Sequence, residues 1–269
     1  MTQNYKLFAT DMDGTFLNDQ MEYDQAKFSK LYQKIAANNI QFVVASGNQY
    51  YQLRSFFEDY PNIIYIAENG AYIRDQQKEY RVVHFKRENV DEILRLLSKH
   101  QGLLQELVIS GTRSAYVLDN ANPKFIEYVK KYYYRLQQVS TFAEINDDIL
   151  KFSFNYFGDD LEKFQQKLTE KLQGKGDLTT SGHGNFDIIQ PGLHKANGLQ
   201  VLAEEFGIPL YMMCAFGDGG NDFEMLSEVG DGVAVANASK AIKEIADHIT
   251  DSNNNQGVLN YIDSVFKNG

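Results

Sequence analysis

Apolar residues follow two different rhythms along this chain. In the first eighty residues the runs are short, continuous and set apart by segments of helical spacing. Tyr5-Lys6-Leu7-Phe8-Ala9-Thr10 reads as a buried strand that breaks at Asp11-Met12-Asp13-Gly14-Thr15. Residues 24–38 carry apolar positions at helical spacing, among them Ala26, Leu31 and Ile35. Ile40 to Ala45 is a second apolar strand, halted at Ser46-Gly47-Asn48, and a helix follows over about 49–58. Ile63 to Ala67 is a third strand, ending at Glu68-Asn69-Gly70. Strand and helix in alternation at this spacing predict parallel strands joined by crossover helices.

The rhythm changes after about residue 83. Leu150 to Phe157 alternates strictly, with Phe152, Phe154 and Tyr156 on one face and Lys151, Ser153 and Asn155 on the other. That pattern predicts a half-solvated strand of an antiparallel sheet. Strands are also expected at 114–118 and 186–190, and helices over 89–100, 122–134 and 159–173. The region 84–190 therefore reads as an inserted α+β domain. His183-Gly184-Asn185 reads as a turn just before the chain returns. The first rhythm resumes near Pro191, with a helix over about 195–206, strands at 212–216 and 232–236, and a terminal helix over about 257–266. The expected fold is α/β: a doubly wound parallel, Rossmann-like core over 1–83 and 191–269 that carries the insert.

Bulk properties narrow the functional classes. The chain has 269 residues, 43% of them hydrophobic, enough for a sizeable core. Its formal net charge of -10 argues against nucleic acid as the main partner, because a phosphate backbone needs basic stripes. A small phosphorylated ligand needs only a few local cations. No apolar run reaches membrane-spanning length, and residues 1–6 lack the apolar centre of a signal peptide. The single cysteine, Cys214, lies in an apolar run and is expected to be a buried, inert thiol. These features predict a cytoplasmic protein with no membrane contact.

The chemistry is expected at the strand ends. Ligands of an open parallel sheet bind beyond the carboxyl ends of its strands. Four such ends carry polar clusters: Asp11/Asp13, Ser46-Gly47-Asn48, Asn69-Gly70, and Gly217-Asp218-Gly219-Gly220-Asn221-Asp222. Asp11, Asp13, Asp218 and Asp222 cannot gather ionised without a cation, and Mg²⁺ suits hard oxygen ligands. Asp11 and Asp13 are two apart, so an extended chain would point both the same way. Gly14 permits a sharp turn that exposes amide N–H groups. Those amides, Ser46 and a lysine would hold three phosphoryl oxygens, and Lys195 opens the helix that re-enters the core. Each segment alone is an ordinary turn, cap or surface lysine. Their ordered occurrence, each closing an apolar run, points to a site.

That ordered set resembles the haloacid dehalogenase-like hydrolases, and among them the Cof-type bacterial sugar phosphatases with a large α+β cap. The resemblance rests on Asp11-Met12-Asp13-Gly14-Thr15, Ser46-Gly47, Pro191 to Gly198 around Lys195, and Gly217 to Asp222. Val233 to Ala238 is similar to the strand that follows in that family, and the match runs over essentially the whole chain. The resemblance implies an Mg²⁺-dependent phosphatase acting on small phosphate monoesters, sugar phosphates above all, through an aspartyl-phosphate. It implies Asp11 as nucleophile and metal ligand. Asp13 would be general acid and then base, with its carbonyl on the metal. Asp218 and Asp222 would complete the metal site, Ser46, Gly47, Lys195 and Asn221 would contact phosphate, and residues 84–190 would be a substrate-reading cap. The chain departs from the family at Asn48, where Arg is common, which removes a cation and leaves an amide suited to sugar hydroxyls.

Two rivals stay open at this point. A phosphomutase shares the aspartyl-phosphate but returns the phosphoryl group to a sugar. A catalytically weak sugar-phosphate-binding protein would not need both Asp11 and Asp13.

Overall fold

The computed structural model describes residues 4–156, 158, 160–182 and 184–268. His183 lies outside them. Close contacts divide the chain into two compact units, one of residues 1–47, 57–81 and 194–269, the other of 48–56 and 82–193.

The chain runs β1 (Leu7–Thr10), α1 (Gln25–Ala37), β2 (Gln41–Ala45), α2 (Tyr50–Ser55), β3 (Ile64–Ala67), β4 (Tyr72–Arg74) and β5 (Glu79–Val82). Next come α3 (Arg87–Leu97), β6 (Leu107–Gly111), β7 (Ala115–Leu118), α4 (Pro123–Val129), β8 (Leu136–Val139), β9 (Ile149–Asn155), α5 (Leu161–Leu172), β10 (Asp177–Gly182) and β11 (Asn185–Ile189). It ends with α6 (Lys195–Phe206), β12 (Met213–Gly217), α7 (Phe223–Glu228), β13 (Asp231–Ala234), α8 (Lys240–Ile245), β14 (His248–Ile249) and α9 (Gly257–Asn268).

The first sheet has the order β14-β13-β12-β1-β2-β3-β4-β5. β1 pairs in parallel with β2 on one side and β12 on the other, so the chain winds outward in both directions from β1. β1, β2, β3 and β12 are buried along almost their whole length, as strands covered on both faces must be. β4 pairs antiparallel with β3 and gives the sheet an antiparallel margin that the sequence reading did not predict. At three or four residues each, β4 and β5 are too short for periodicity to declare them.

The second sheet has the order β10-β11-β9-β6-β7-β8. One face packs Phe152, Phe154, Phe186 and Ile188 with residues of α3 and α5, such as Ile93, Leu97, Phe164 and Leu168. The other face carries α4 over β6 and β7, through Val108, Ala115, Val117, Phe125 and Ile126. Residues 48–56 join this unit by side-chain contacts. Gln49 exchanges two hydrogen bonds with the Arg135 backbone, at 3.0 and 3.1 Å, and the Arg135 guanidinium lies 3.7 Å from the centre of the Tyr51 ring.

The expected half-solvated β9 is corrected by the structure. Lys151 is 4% exposed and Ser153 9%. Alternation identified the two faces but not the burial of the polar one. There, Tyr133 donates to Ser153 at 3.0 Å, Ser153 donates to Asp187 at 2.5 Å, and Lys151 Nζ stands 3.6 Å from Asp187. The helix expected over 122–134 stops at Val129, where a turn drives Tyr133 inward and leaves Tyr134 exposed. Among the described residues no helix is long and apolar enough to cross a membrane.

Candidate active site

The four polar strand ends singled out in the sequence belong to β12, β1, β2 and β3, which are consecutive neighbours in the sheet. Parallel register brings their carboxyl ends to one edge. Asp11 leaves β1 while its N–H still bonds Phe216 O of β12 at 3.0 Å. The chain then coils tightly, and Met12 O accepts from the N–H groups of Thr15, Phe16 and Leu17. Phe16 anchors this loop, 2% exposed against Phe28, Phe42 and Phe57. Gly14 has φ 77°, and a Cβ there would lie 2.8 Å from Asp218 Oδ2. A side chain at residue 14 would be strained in backbone and would crowd the Asp218 carboxylate.

The coil also decides where the two first carboxylates go. Asp11 is buried and Asp13 exposed, so the two carboxylates meet different surroundings although they are two apart in sequence. Asp13 stands outside the tight carboxylate cluster, although its charge acts on Asp11 and Asp218.

Lys195, the first residue of α6, is wholly buried. Its Nζ bonds Asp11 Oδ1 at 2.6 Å and Asp222 Oδ1 at 2.7 Å. Asp222 is fixed on its other side, where Oδ2 accepts from the N–H groups of Asp218 and Gly219, both at 3.0 Å. Thr15 Oγ1 donates to Asp218 Oδ1 at 2.7 Å. Asp11, Asp218 and Asp222 each present one carboxylate oxygen within 4.8 Å of the others.

This cluster is short of positive charge. Burial pushes the Asp11 carboxyl well above the usual carboxylate range; Lys195 opposes that shift, while Asp222, Asp218 and Asp13 add to it. Asp218 is raised too, by burial first, against the Thr15 hydroxyl and with Asp222 pushing the same way. Burial pushes the Lys195 ammonium down, but Asp11 and Asp222 outweigh it and hold the ammonium above its ordinary range. One ammonium among three crowded carboxylates leaves a deficit that a hard divalent cation fits, and all the donors are oxygens.

A second group of residues sits beside it. Ser46, at the end of β2, is buried; its N–H donates to Ile66 O at 2.9 Å and its carbonyl accepts from Asn69 N at 3.1 Å. Asn221 is exposed and donates to Asn69 Oδ1 at 3.5 Å. Asn48 follows Gly47 but belongs to the second unit.

Thr15, Asn69 and Asn237 were given no individual role by the sequence. Thr15 and Asn237 stand in the quoted runs, and Asn69 in the strand-end cluster Asn69-Gly70. Asn237 Nδ2 holds Gly14 O at 2.7 Å, which ties the first loop to the turn after β13.

Comparison with known proteins agrees with this geometry. A family model described as haloacid dehalogenase-like hydrolase matches residues 8–262. The 5-amino-6-(5-phospho-D-ribitylamino)uracil phosphatase YbjI of Escherichia coli strain K12 is 39% identical over 266 residues, covering 97% of this chain and 96% of that protein. The phosphatase YcsE of Bacillus subtilis strain 168, named for the same substrate, is 28% identical, covering 96% of this chain and 94% of that protein. Among solved structures, SMU.1108c from Streptococcus mutans UA159 superposes with a TM-score of 0.88 at 32% identity, covering 98% of this chain and 99% of that one. The chain belongs to the haloacid dehalogenase-like hydrolases of the Cof type, and it is a phosphatase.

Proposed function

We propose that the protein is an Mg²⁺-dependent phosphatase that cleaves the phosphate monoester of a sugar or sugar alcohol through an aspartyl-phosphate on Asp11. The observation that carries this reading is the buried Lys195 ammonium bonded to Asp11 and Asp222, with Asp218 completing a three-carboxylate cluster.

Asp11, Asp218 and Asp222 would hold an Mg²⁺ ion, which would supply positive charge that favours ionised Asp11 and offsets the charge of the phosphoryl group. The Asp11 carboxylate attacks phosphorus and the bond to the substrate oxygen breaks. Asp13, exposed and beside the nucleophile in sequence, gives its proton to the departing alkoxide. Asp13 then takes a proton from water, whose oxygen attacks phosphorus; inorganic phosphate leaves and Asp11 is regenerated. Lys195 orients the Asp11 carboxylate and shares the charge of the transferred group. Ser46, the Gly47 backbone and Asn221 are assigned to the phosphoryl oxygens, and Asn48 to substrate hydroxyls. The inserted unit is assigned the choice of leaving group, and the cytoplasm the place of action.

The relatives support one choice of substrate class. Both named phosphatases act on a phosphorylated ribityl chain, a sugar-alcohol phosphate whose leaving group is an alkoxide. We infer the same chemistry here, with 5-amino-6-(5-phospho-D-ribitylamino)uracil as the first substrate to try. The test measures kcat/KM for that compound, hexose and pentose monophosphates, nucleotides and p-nitrophenyl phosphate, with Mg²⁺ and with EDTA. The expected result is Mg²⁺-dependent release of phosphate with the polyol or sugar esters preferred. Full activity in EDTA, or a preference for nucleotides, sinks the assignment.

A further inference from the structure

A buried turn of three successive left-handed residues joins β3 to β4. Glu68, Asn69 and Gly70 have φ of 51°, 57° and 102°. Only Gly adopts this region freely, and Glu is a poor choice for it. Glu68 and Asn69 are 1% and 6% exposed, so the strain is not relieved by solvent motion. Strain of this kind persists where the surroundings need a side chain held in one direction.

The Asn69 amide lies between the two segments assigned to phosphate. Gly47 packs directly against it: a Cβ at residue 47 would come within 3.1 Å of Asn69 Oδ1 and 3.2 Å of Nδ2. The Asn69 backbone N–H is tied to Ser46 O at 3.1 Å. On the other side Asn69 Oδ1 accepts from Asn221 Nδ2 at 3.5 Å, a long bond that a bound phosphoryl group would tighten. Asn221 is exposed on the short turn Gly220–Asp222, so packing does little to fix its amide.

We propose that Asn69 is a positioning residue for phosphoryl transfer: its carboxamide orients the Asn221 amide and seats the Ser46-Gly47 backbone against the phosphoryl oxygens. The left-handed turn aims Asn69 at both. This rests on the assignment of Ser46, Gly47 and Asn221 to phosphate.

Asn69→Gly tests it, because glycine keeps the left-handed backbone and removes only the amide. The expected result is a thermal midpoint equal to or above that of the native protein. With it, kcat/KM for p-nitrophenyl phosphate falls about 10- to 100-fold, the usual penalty for a displaced contact. The inhibition constant of inorganic phosphate should rise as well. A purely structural Asn69 would show the reverse: a lowered midpoint and normal phosphate affinity. A double-mutant cycle with Asn221→Ala gives the second readout. If Asn69 works through Asn221, the double variant loses little more than Asn221→Ala alone. Fully additive losses would overturn the coupling. If Asn221→Ala is harmful and Asn69→Gly is silent, the positioning role falls and the phosphate assignment stands. If Asn221→Ala is silent, the phosphate assignment of Asn221 fails and the positioning role fails with it.

Discussion

Lys195 and Lys151 are both almost wholly buried, at 0% and 4% exposed, yet they occupy opposite kinds of position. Lys195 stands at the carboxyl edge of a parallel sheet, 2.6 and 2.7 Å from two carboxylates. Lys151 stands on a strand face of an antiparallel sheet, 3.6 Å from Asp187. A parallel sheet covered on both faces leaves its strand ends as the place for charge, so its polar residues concentrate there and become a site. An antiparallel sheet can carry polar residues in mid-strand, and here hydroxyls of Ser153 and Tyr133 complete the network. Burial of a lysine therefore does not identify a catalytic group. What separates the two is the crowding of carboxylates around Lys195, where burial first and the neighbouring carboxylates after it shift Asp11 and Asp218 upward.

The largest expected effects lie at the sheet edge. Asp11→Asn should reduce phosphate release to background on every ester, because an amide neither attacks phosphorus nor serves well as a metal ligand. Residual turnover that labels another side chain with phosphate, read by acid quench and peptide mass analysis, would break the scheme. Asp13→Asn should lose ~10²–10⁴-fold on a sugar phosphate, the usual worth of general acid–base catalysis. On p-nitrophenyl phosphate the first step should suffer far less, so a burst of nitrophenol should precede slow turnover. Absence of the burst would remove Asp13 from the water-activating step.

Lys195→Met should cost roughly 10²–10³-fold in kcat, the scale of one lost charge-stabilising donor. Lys151→Met sharpens the contrast. It should lower stability by about 2–4 kcal/mol, because Asp187 loses its counter-charge while partly exposed to solvent. That corresponds to a fall of roughly 5–12 °C in thermal midpoint, with kcat on p-nitrophenyl phosphate within about threefold of native at a temperature where both are folded. If Lys151→Met instead abolished aryl phosphate hydrolysis without loss of stability, the distinction between edge and face would collapse. Replacing the pair together, Lys151→Met with Asp187→Leu, should recover most of the lost stability, since a buried ion pair exchanged for apolar side chains is often neutral.

The smallest expected effect is thermal and depends on pH. A carboxyl whose folded pKa is raised makes the folded state bind protons more tightly, so the metal-free protein loses stability as pH climbs past the ordinary carboxylate range. Mg²⁺ binds the ionised form, so its stabilising shift in thermal midpoint should be larger at pH 7 than at pH 5. At a hundredfold excess over Kd it is worth about 2.7 kcal/mol. An equal shift at both pH values would mean that Asp11 and Asp218 are not the ligands. Deleting 82–193 is a poor way to test the inserted unit, because residues 48–56 would lose the Arg135 and Thr112 contacts that hold them.

The sequence by itself determined the parallel strands, their crossover helices and the order of the four polar strand ends. Continuous apolar runs ending in Asp, Ser-Gly and Gly-Asp clusters have one economical reading, and Lys195 was found because it opens a helix in a recognisable run. Short elements such as β4 and β5 escaped, since three or four residues carry no period. Tertiary structure alone decided three things. Coiling at Met12 buried Asp11 and left Asp13 exposed, outside the tight carboxylate cluster. Packing set the contacts inside the site: the strand-end rule put Asp11 and Asp222 at one edge, but only the fold placed the Lys195 ammonium between them, bonded to both. Burial of the Lys151 face turned an apparently solvated strand into a covered one, because alternation reports which side chains share a face and only packing decides what covers it.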